Sequence, residues 1–182
     1  MKKFLLLCLV CLMATSAWAS HPLRSGFYLN AKAGAMRVDM DTPSQKGDDV
    51  PFVMAIALGG RIRHFRIEAE YSFGTRAKMK DYSQEMEIVS GQLYFDIPFK
   101  SAVRPFVNGG FGRHETRITQ GKEKETRKGS VWNLGGGVTW NVSNAVNIDL
   151  GYRYIETGDF KTRSGTVESQ NHLVYIGWRY VF

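Results

Sequence analysis

Two carboxylates placed two residues apart, Glu68 and Glu70, have the clearest potential for chemistry in this sequence, and Arg66 shares their side of the strand. Paired carboxylates can act as a general acid and a general base. Inside a narrow closed structure, however, a charged group must be compensated. We therefore expect these residues to join a structural charge network in the lumen of the fold, with this membership: Arg61, Arg66, Glu68, Glu70, Asp96, Asp149, Arg153 and Arg179.

The histidines do not indicate a hydrolytic site. A hydroxyl nucleophile needs a base within ~3 Å to be activated. His172 has Val174 two residues on, and its nearest serine, Ser169, stands before it. His114 has Thr116 two residues on but stands at the start of a predicted polar connection. We expect both histidines to lie in loops or at a rim, and we expect no enzymatic activity.

Metal and cofactor sites are not indicated either. Asp39, Asp41, Asp48 and Asp49 fall in one polar stretch and offer carboxylates to calcium, but their spacing matches no known cage. The three glycines at 135–137 lack the Lys-Ser/Thr pair that completes a phosphate loop. We therefore expect no bound cofactor, and we expect the aspartates to belong to a solvated loop.

The N-terminus has the features of a cleaved secretory signal. Lys2 and Lys3 precede a short apolar run, and residues 17–19 form the small-x-small pattern of a cleavage site. We predict a signal peptide over residues 1–19 and one domain over residues 20–182. Both cysteines fall in the signal, which leaves no thiol for a disulfide or a metal. The net charge of +7 comes from charges of mixed sign, and an exported chain is not expected to bind nucleic acid.

Eight segments of alternating apolar and polar residues follow the predicted signal. In the third segment, Phe65, Ile67 and Ala69 alternate with Arg66 and Glu68. A period of two over such lengths indicates strands that face two different environments. The segments cover residues 26–36, 52–63, 65–73, 87–97, 104–112, 131–141, 146–155 and 173–182.

The connections between these segments alternate in length. Short turns on one side and long polar loops on the other, on an even number of strands, are typical of bacterial outer-membrane barrels, whose strands cross with only ~10 residues. We predict an all-β fold, an eight-stranded antiparallel up-and-down transmembrane β-barrel. The long connections cover residues 39–50, 74–84, 114–130 and 156–171.

The two strand faces distinguish this barrel from a soluble barrel of lipocalin type, which has a similar size. A lipocalin turns its bulky apolar face inward around a ligand. An eight-stranded barrel has an interior just wide enough for side chains, so many large rings would crowd it, whereas small residues and opposite charges can fill it. We expect the aromatic face to meet lipid, with rings at the interfaces, and this face carries Tyr71, Phe73, Phe95, Trp132, Trp140, Tyr152, Tyr154, Trp178, Tyr180 and Phe182.

The last eight residues, YIGWRYVF, resemble the closing strand of outer-membrane barrels, which ends in an aromatic residue and is recognised by the barrel-assembly machinery. GFYL at 26–29, RIEAEY at 66–71, RPFVNGG at 104–110 and LGYRY at 150–154 look like the opacity-protein and OmpA-type eight-stranded barrels, including those of the OmpX/Ail type. The resemblance implies a monomer in the bacterial outer membrane. It also implies contact with outer-membrane lipid, lipopolysaccharide, periplasmic chaperones and the assembly machinery. The implied assembly signal is Trp178, Tyr180 and Phe182.

The resemblance is specific for architecture and leaves three functions open. The first is a non-enzymatic surface protein whose long loops mediate adhesion or contact with the host or the envelope. The second is a narrow passive, porin-like channel, which needs an open lumen. The third is a lipid A-modifying enzyme. Lipid A deacylases carry a histidine and a serine two apart on a strand, and this chain departs from that pattern. The loops offer these cations to lipopolysaccharide or acidic glycans: Lys78, Lys80, Arg117, Lys122, Lys124, Arg127 and Lys128.

Overall fold

The structure is a computed structural model that describes residues 25–40, 51–74, 77–79, 82–99, 101–120, 123–162 and 165–182. The predicted signal peptide and Asp41, Asp48 and Asp49 lie outside these residues. Among the described residues, no helix is long and apolar enough to cross a membrane. The described elements are strands β1 Gly26–Met40, β2 Phe52–Ile62, β3 Phe65–Gly74, β4 Ala77–Met79, β5 Tyr82–Asp96, β6 Val103–Gln120, β7 Glu123–Asn141, β8 Val146–Thr162 and β9 Gly165–Val181.

The strands form one closed antiparallel sheet. Apart from β3 and β4, strands that follow one another in the chain are paired, and β1 also pairs with β9, from Tyr28 opposite Val181 to Met40 opposite Ser169. Both β3 and β4 pair with β5, so they occupy one position in the wall, which has eight strands. The predicted fold class is confirmed. Closure pairs the backbone groups of the wall with each other, which an apolar surrounding requires.

Alternation along the strands gives the barrel two different surfaces. On β2, Ile56 and Leu58 point outward and are 56% and 60% exposed, whereas Ala55 and Ala57 are buried. The predicted aromatic face also lies outside, since Trp132, for example, is 43% exposed. An apolar outer surface and a polar interior exclude a lipocalin arrangement, in which the bulky apolar face surrounds a ligand.

The short connections lie together at one end of the barrel, which we call the turn end. Between β2 and β3 the chain reverses at Arg63, whose φ of 54° lies in the left-handed region that tight hairpin turns use. Between β7 and β8 the Ser143 hydroxyl accepts hydrogen bonds from the backbone N–H groups of Ala145 at 3.3 Å and Val146 at 3.0 Å. These local bonds fix the register of the strands that follow.

The opposite end, which we call the hairpin end, differs from the prediction. Residues 114–130 and 156–171 were predicted to be loops, but most of them extend strands. Strands β6 and β7 stay paired up to Gln120 opposite Glu123, and β8 and β9 up to Thr162 opposite Gly165 with one irregularity. Where both faces of a strand meet a polar surrounding, hydrophobicity does not alternate, so the pattern that reveals a strand is absent.

Candidate functional site

The eight charged residues predicted for the lumen all lie inside the barrel and are buried. They come from β2, β3, β5, β8 and β9, so closure of the sheet brings together residues that are far apart in sequence. Lys32 of β1 joins them and is only 7% exposed. The prediction missed Lys32, although it shares the polar side of the first segment with Tyr28 and Asn30.

The middle of the lumen holds a cluster of two carboxylates and two cations. Glu70 accepts hydrogen bonds from Arg153 Nη1 at 2.6 Å and from Lys32 Nζ at 2.5 Å. Lys32 Nζ also donates to Glu68 at 2.6 Å. The hydroxyl of Tyr94 accepts from both cations, at 2.8 Å from Lys32 and 2.9 Å from Arg153. The cluster is electrically balanced, with two carboxylates against two cations.

A second cluster lies nearer the turn end and contains Asp96 and Asp149. Asp96 accepts hydrogen bonds from Arg61 and from two nitrogens of Arg66, Nε at 3.0 Å and Nη2 at 2.8 Å. Asp149 Oδ2 accepts from Arg66 Nη1 at 3.2 Å, and an Nη of Arg179 lies 3.4 Å from its other oxygen. Arg66 therefore bridges the two aspartates.

Aromatic rings inside the lumen pack against these cations. The guanidinium carbon of Arg66 lies 4.4 Å from the centre of the Tyr94 ring and 5.1 Å from that of Phe106. That of Arg179 lies 5.2 Å from the Tyr28 ring. A guanidinium over a ring face is attracted by the ring quadrupole, most strongly where water is excluded. The sequence signal for these rings is their position on the charged side of each strand.

Glycines in the wall make room for the inward rings. A Cβ at Gly59 would overlap the ring of Tyr28, and a Cβ at Gly151 would overlap the ring of Tyr175. Because each glycine has no side chain, it leaves room for a tyrosine ring to lie against the inside of the wall. The lumen is filled by tyrosine rings as well as by ion pairs.

An apolar layer closes the lumen toward the hairpin end. Its buried side chains come from several strands and surround the axis above the charged clusters. A cavity of about 20 Å³ lies between this layer and Glu70, Arg153 and their neighbours, which is room for little more than one water molecule. The members of this layer are Met36, Val53, Ile88, Val131, Ile155 and Leu173.

The histidines are placed differently from each other. The prediction of a loop or rim position is wrong for His114, which lies inside β6 and is buried, and burial lowers the pKa of its imidazole. It faces Gly129 of β7, where a Cβ would overlap the imidazole ring. His172 lies on the outer wall, and its Nδ1 is 2.5 Å from the hydroxyl of Tyr152. No group of three or more potential metal ligands occurs among the residues that the structure describes.

The hairpin end carries an exposed ion-pair cluster on the outside of β5, β6 and β7. Glu115 lies 3.0 Å from Lys128 Nζ and 3.1 Å from Arg117, which also lies 3.4 Å from Glu87. Hydrogen bonds from Lys128 and Arg117 lower the pKa of the Glu115 carboxyl. Of the basic residues predicted for the loops, Lys78, Lys80, Lys122 and Lys124 have side chains that the structure does not describe.

The three residues predicted as an assembly signal lie on the outer face of the closing strand. Trp178 and Tyr180 have ring centres 6.2 Å apart, and those of Tyr180 and Phe182 are 5.5 Å apart. The backbone N–H of Phe182 donates to the carbonyl of Phe27 at 3.0 Å, which extends the β1–β9 seam to the end of the barrel. Whether this row is read by assembly machinery stays a prediction.

A closed eight-stranded barrel with an apolar outer surface and a charged, filled interior defines a transmembrane β-barrel. Residues 4–180 match the family described as outer membrane protein beta-barrel domain. The chain belongs to this family, which implies the bacterial outer membrane. The turn end is then periplasmic and the hairpin end extracellular.

Similar solved structures support the fold. Neisserial surface protein A is 22% identical, with a TM-score of 0.75, over 87% of this chain and 98% of that one. Ail of Yersinia pestis is 17% identical, with a TM-score of 0.57, over 86% and 99%. OprG of Pseudomonas aeruginosa is 11% identical, with a TM-score of 0.50, over 88% and 99%. None of the curated protein sequences matches this chain.

Proposed function

We propose that the protein is a non-enzymatic surface barrel whose extracellular hairpins mediate adhesion or another contact with the host or the envelope. One observation carries the proposal: β6 and β7 run on as a paired ribbon beyond the apolar band, from Arg113 to Gln120 and from Glu123 to Ser130. At about 3.3 Å a residue, eight residues extend roughly 25 Å. A ribbon of this length offers its outward side chains, among them the exposed Arg117 and Lys128, to ligands outside the cell.

The names of two similar structures suit this proposal. One is a surface protein, and the other is an attachment invasion locus protein that has also been solved with the heparin analogue sucrose octasulfate. A sulfated glycan would need cations on the hairpins. Arg117 and Lys128 are exposed on the outer face of the ribbon in this chain. We therefore name acidic glycans as the first ligand class to test.

The test uses intact cells that express the barrel. One variant replaces residues 114–129 with a two-residue turn, and a second shortens the β8–β9 hairpin in the same way. Adhesion to epithelial cells and to heparin-coated beads is measured, and heat-modifiable gel mobility verifies that each variant is folded. We expect at least one shortened variant to lose adhesion. Unchanged adhesion of both would contradict the proposal.

The passive channel is a rival that makes its own prediction. A channel needs a continuous aqueous path, whereas the described side chains place a pair of charged clusters and an apolar layer across the lumen. We expect no steady conductance from the folded wild type in a planar bilayer. Lipid A extracted with and without expression of the barrel should show the same acylation by mass spectrometry. A measured conductance would favour the channel over the adhesion proposal, and altered acylation of lipid A would favour the enzyme.

A further inference from the structure

The charges buried in the lumen do not cancel. Between the turn end and the apolar layer, the described strands bury six cations and four carboxylates, which leaves two positive charges. The middle cluster is balanced, so the surplus lies in the cluster nearer the turn end. The cations are Lys32, Arg61, Arg66, Arg104, Arg153 and Arg179, and the carboxylates are Glu68, Glu70, Asp96 and Asp149.

Arginines outnumber aspartates in the turn-end cluster. Asp96 is paired with Arg61 and Arg66, and Asp149 is paired with Arg66 and Arg179. Three guanidinium groups thus share two carboxylates. An arginine stays protonated in proteins, so the surplus cannot be removed by the loss of a proton. Buried charge that is not compensated costs free energy, and the remaining way to compensate it is an anion.

Among the residues that the structure describes, no other group at the turn end supplies the missing negative charge inside the lumen. Arg104, the second residue of β6, adds a fourth buried guanidinium, close enough to Arg61 and Asp96 for their charges to act on it. The terminal carboxylate belongs to Phe182, an exposed residue at the rim, where water screens its charge. Arg63 on the same rim is exposed as well and adds a positive charge.

Arg179 is the arginine of this cluster with the fewest contacts to acceptors. Its side chain is 0% exposed, yet none of its three guanidinium nitrogens makes a hydrogen bond with a described residue. Its neighbours are an oxygen of Asp149 at 3.4 Å and the ring of Tyr28. A buried donor without an acceptor is costly, and more so when it is charged. Water could accept the hydrogen bonds but would leave the charge, whereas an anion compensates both.

We propose that the turn-end lumen binds a chloride ion on the guanidinium group of Arg179. A monovalent ion matches the surplus of the three arginines that share Asp96 and Asp149. Arg61, Arg104 and Arg179 are at most 7% exposed, which suits a monatomic ion and excludes a lipid headgroup or a peptide.

The position of the site gives the ion a route and a role. Arg61, Arg104 and Arg179 stand within two residues of the turn ends of their strands, so an ion from the periplasm reaches them without crossing the apolar layer. Arg179 belongs to β9, which closes the barrel against β1, where it stands opposite Asn30. The ion is therefore a structural ligand that stabilises the closed barrel.

The test measures the urea midpoint of the folded barrel by tryptophan fluorescence while chloride replaces gluconate at constant ionic strength. Gluconate is too large for the site, and the vesicles contain zwitterionic phospholipid alone. Arg179→Met removes the charge but keeps a long side chain. Arg63→Gln is the matched control, because it removes a charge from the exposed turn at the same end. Heat-modifiable mobility verifies that both variants are folded.

We expect the midpoints of the wild type and of Arg63→Gln to rise with chloride, by roughly 0.7 M urea for each tenfold increase above its Kd. The midpoint of Arg179→Met should not depend on chloride. An equal dependence in all three proteins would be a general salt effect and would overturn the site. A wild type without any dependence would mean that water alone satisfies Arg179, which also overturns the proposal.

A second measurement needs no variant. Crystals of the wild type grown in bromide should show an anomalous scattering peak within hydrogen-bond distance of the Arg179 guanidinium group. A peak there, together with a chloride-dependent midpoint, supports the site. The absence of a peak would overturn it. A peak without a chloride-dependent midpoint would be binding at crystal concentration only and would overturn the structural role of the ion.

Discussion

Glu70→Gln should destabilise the barrel strongly, because Glu70 is the acceptor shared by two buried cations. One carboxylate oxygen accepts from Arg153 at 2.6 Å and from the Ser72 hydroxyl at 3.1 Å, and the other accepts from Lys32 at 2.5 Å. Glutamine has the same shape but carries an NH₂ group in place of one oxygen. In either orientation this donor faces a cation, and the cluster is left with two buried cations against the one carboxylate of Glu68.

The size of the effect follows from the burial of the cluster. The side chains of Glu70 and Lys32 are 1% and 5% exposed, so water cannot solvate the cations after the negative charge of Glu70 is removed. Removing one partner of a buried pair costs about 3–5 kcal/mol. With a urea dependence near ~2 kcal/mol per molar, the unfolding midpoint should fall by roughly 2 M. Tryptophan fluorescence of the barrel in lipid vesicles, measured against urea, gives this midpoint.

Glu115→Gln is the matched control for this substitution. It makes the same chemical change in an ion-pair cluster that lies on the surface, where water screens charges. We expect its midpoint to equal that of the wild type within error. If Glu70→Gln were no less stable than Glu115→Gln, the buried ion pairs of the lumen would not be what stabilises the barrel.

Three further predictions concern the outer face, the seam and the extracellular cluster. Leu150→Arg places a charge on the lipid face at a cost of about 2–4 kcal/mol near the bilayer midplane, so heat-modifiable mobility should show far less folded protein than for inward-facing Asn147→Ala. Removal of Phe182 takes away an outward ring and the hydrogen bond to Phe27, and should lower the yield of folded barrel in the membrane without changing adhesion by the molecules that fold. The pKa of Glu115 is lowered in the folded state, so the local stability that it gives the β6–β7 ribbon, which the global unfolding midpoint does not report, is present above its ordinary pKa of 4.5 and is lost as the pH falls through the lowered value. Amide exchange in the β6–β7 ribbon should therefore be faster at about pH 3 than the intrinsic pH dependence predicts, and Glu115→Gln should remove this excess.

The fold could be predicted because residues along every strand of a membrane barrel alternate between the apolar lipid and the polar lumen. In β3, Ile67 faces lipid and Glu68 faces the lumen, and a one-residue shift would exchange them. This contrast ends where the wall leaves the apolar band. Above it, Glu115 points outward and Thr116 inward, and both are polar. Alternation therefore reports the part of a strand that lies in the membrane, and the continuation of β6 into the extracellular ribbon leaves no such pattern.

The lumen was harder to predict than the wall for a different reason. A charge on the inward side of a strand must be compensated, so the sequence reveals which residues belong to the interior but not which of them pair. The predicted neutralisation of Glu68 and Glu70 involved arginines alone, whereas Lys32 contacts both carboxylates. The partner depends on the stagger between β1 and β3, which closure of the sheet sets.

Tyrosines are harder still to assign to one surface of the wall from sequence, because a tyrosine can lie either in the lipid-facing band or in the lumen. Tyr152 lies in the outer band and Tyr175 in the lumen, although both stand in strands with the same alternation. The residue across from each ring distinguishes them. Tyr175 is opposite Gly151, whose missing side chain leaves room for the ring, whereas Tyr152 is opposite Val174 on the lipid side. In this chain a glycine opposite a tyrosine on the charged side of the strands thus identifies Tyr28 and Tyr175 as rings of the lumen.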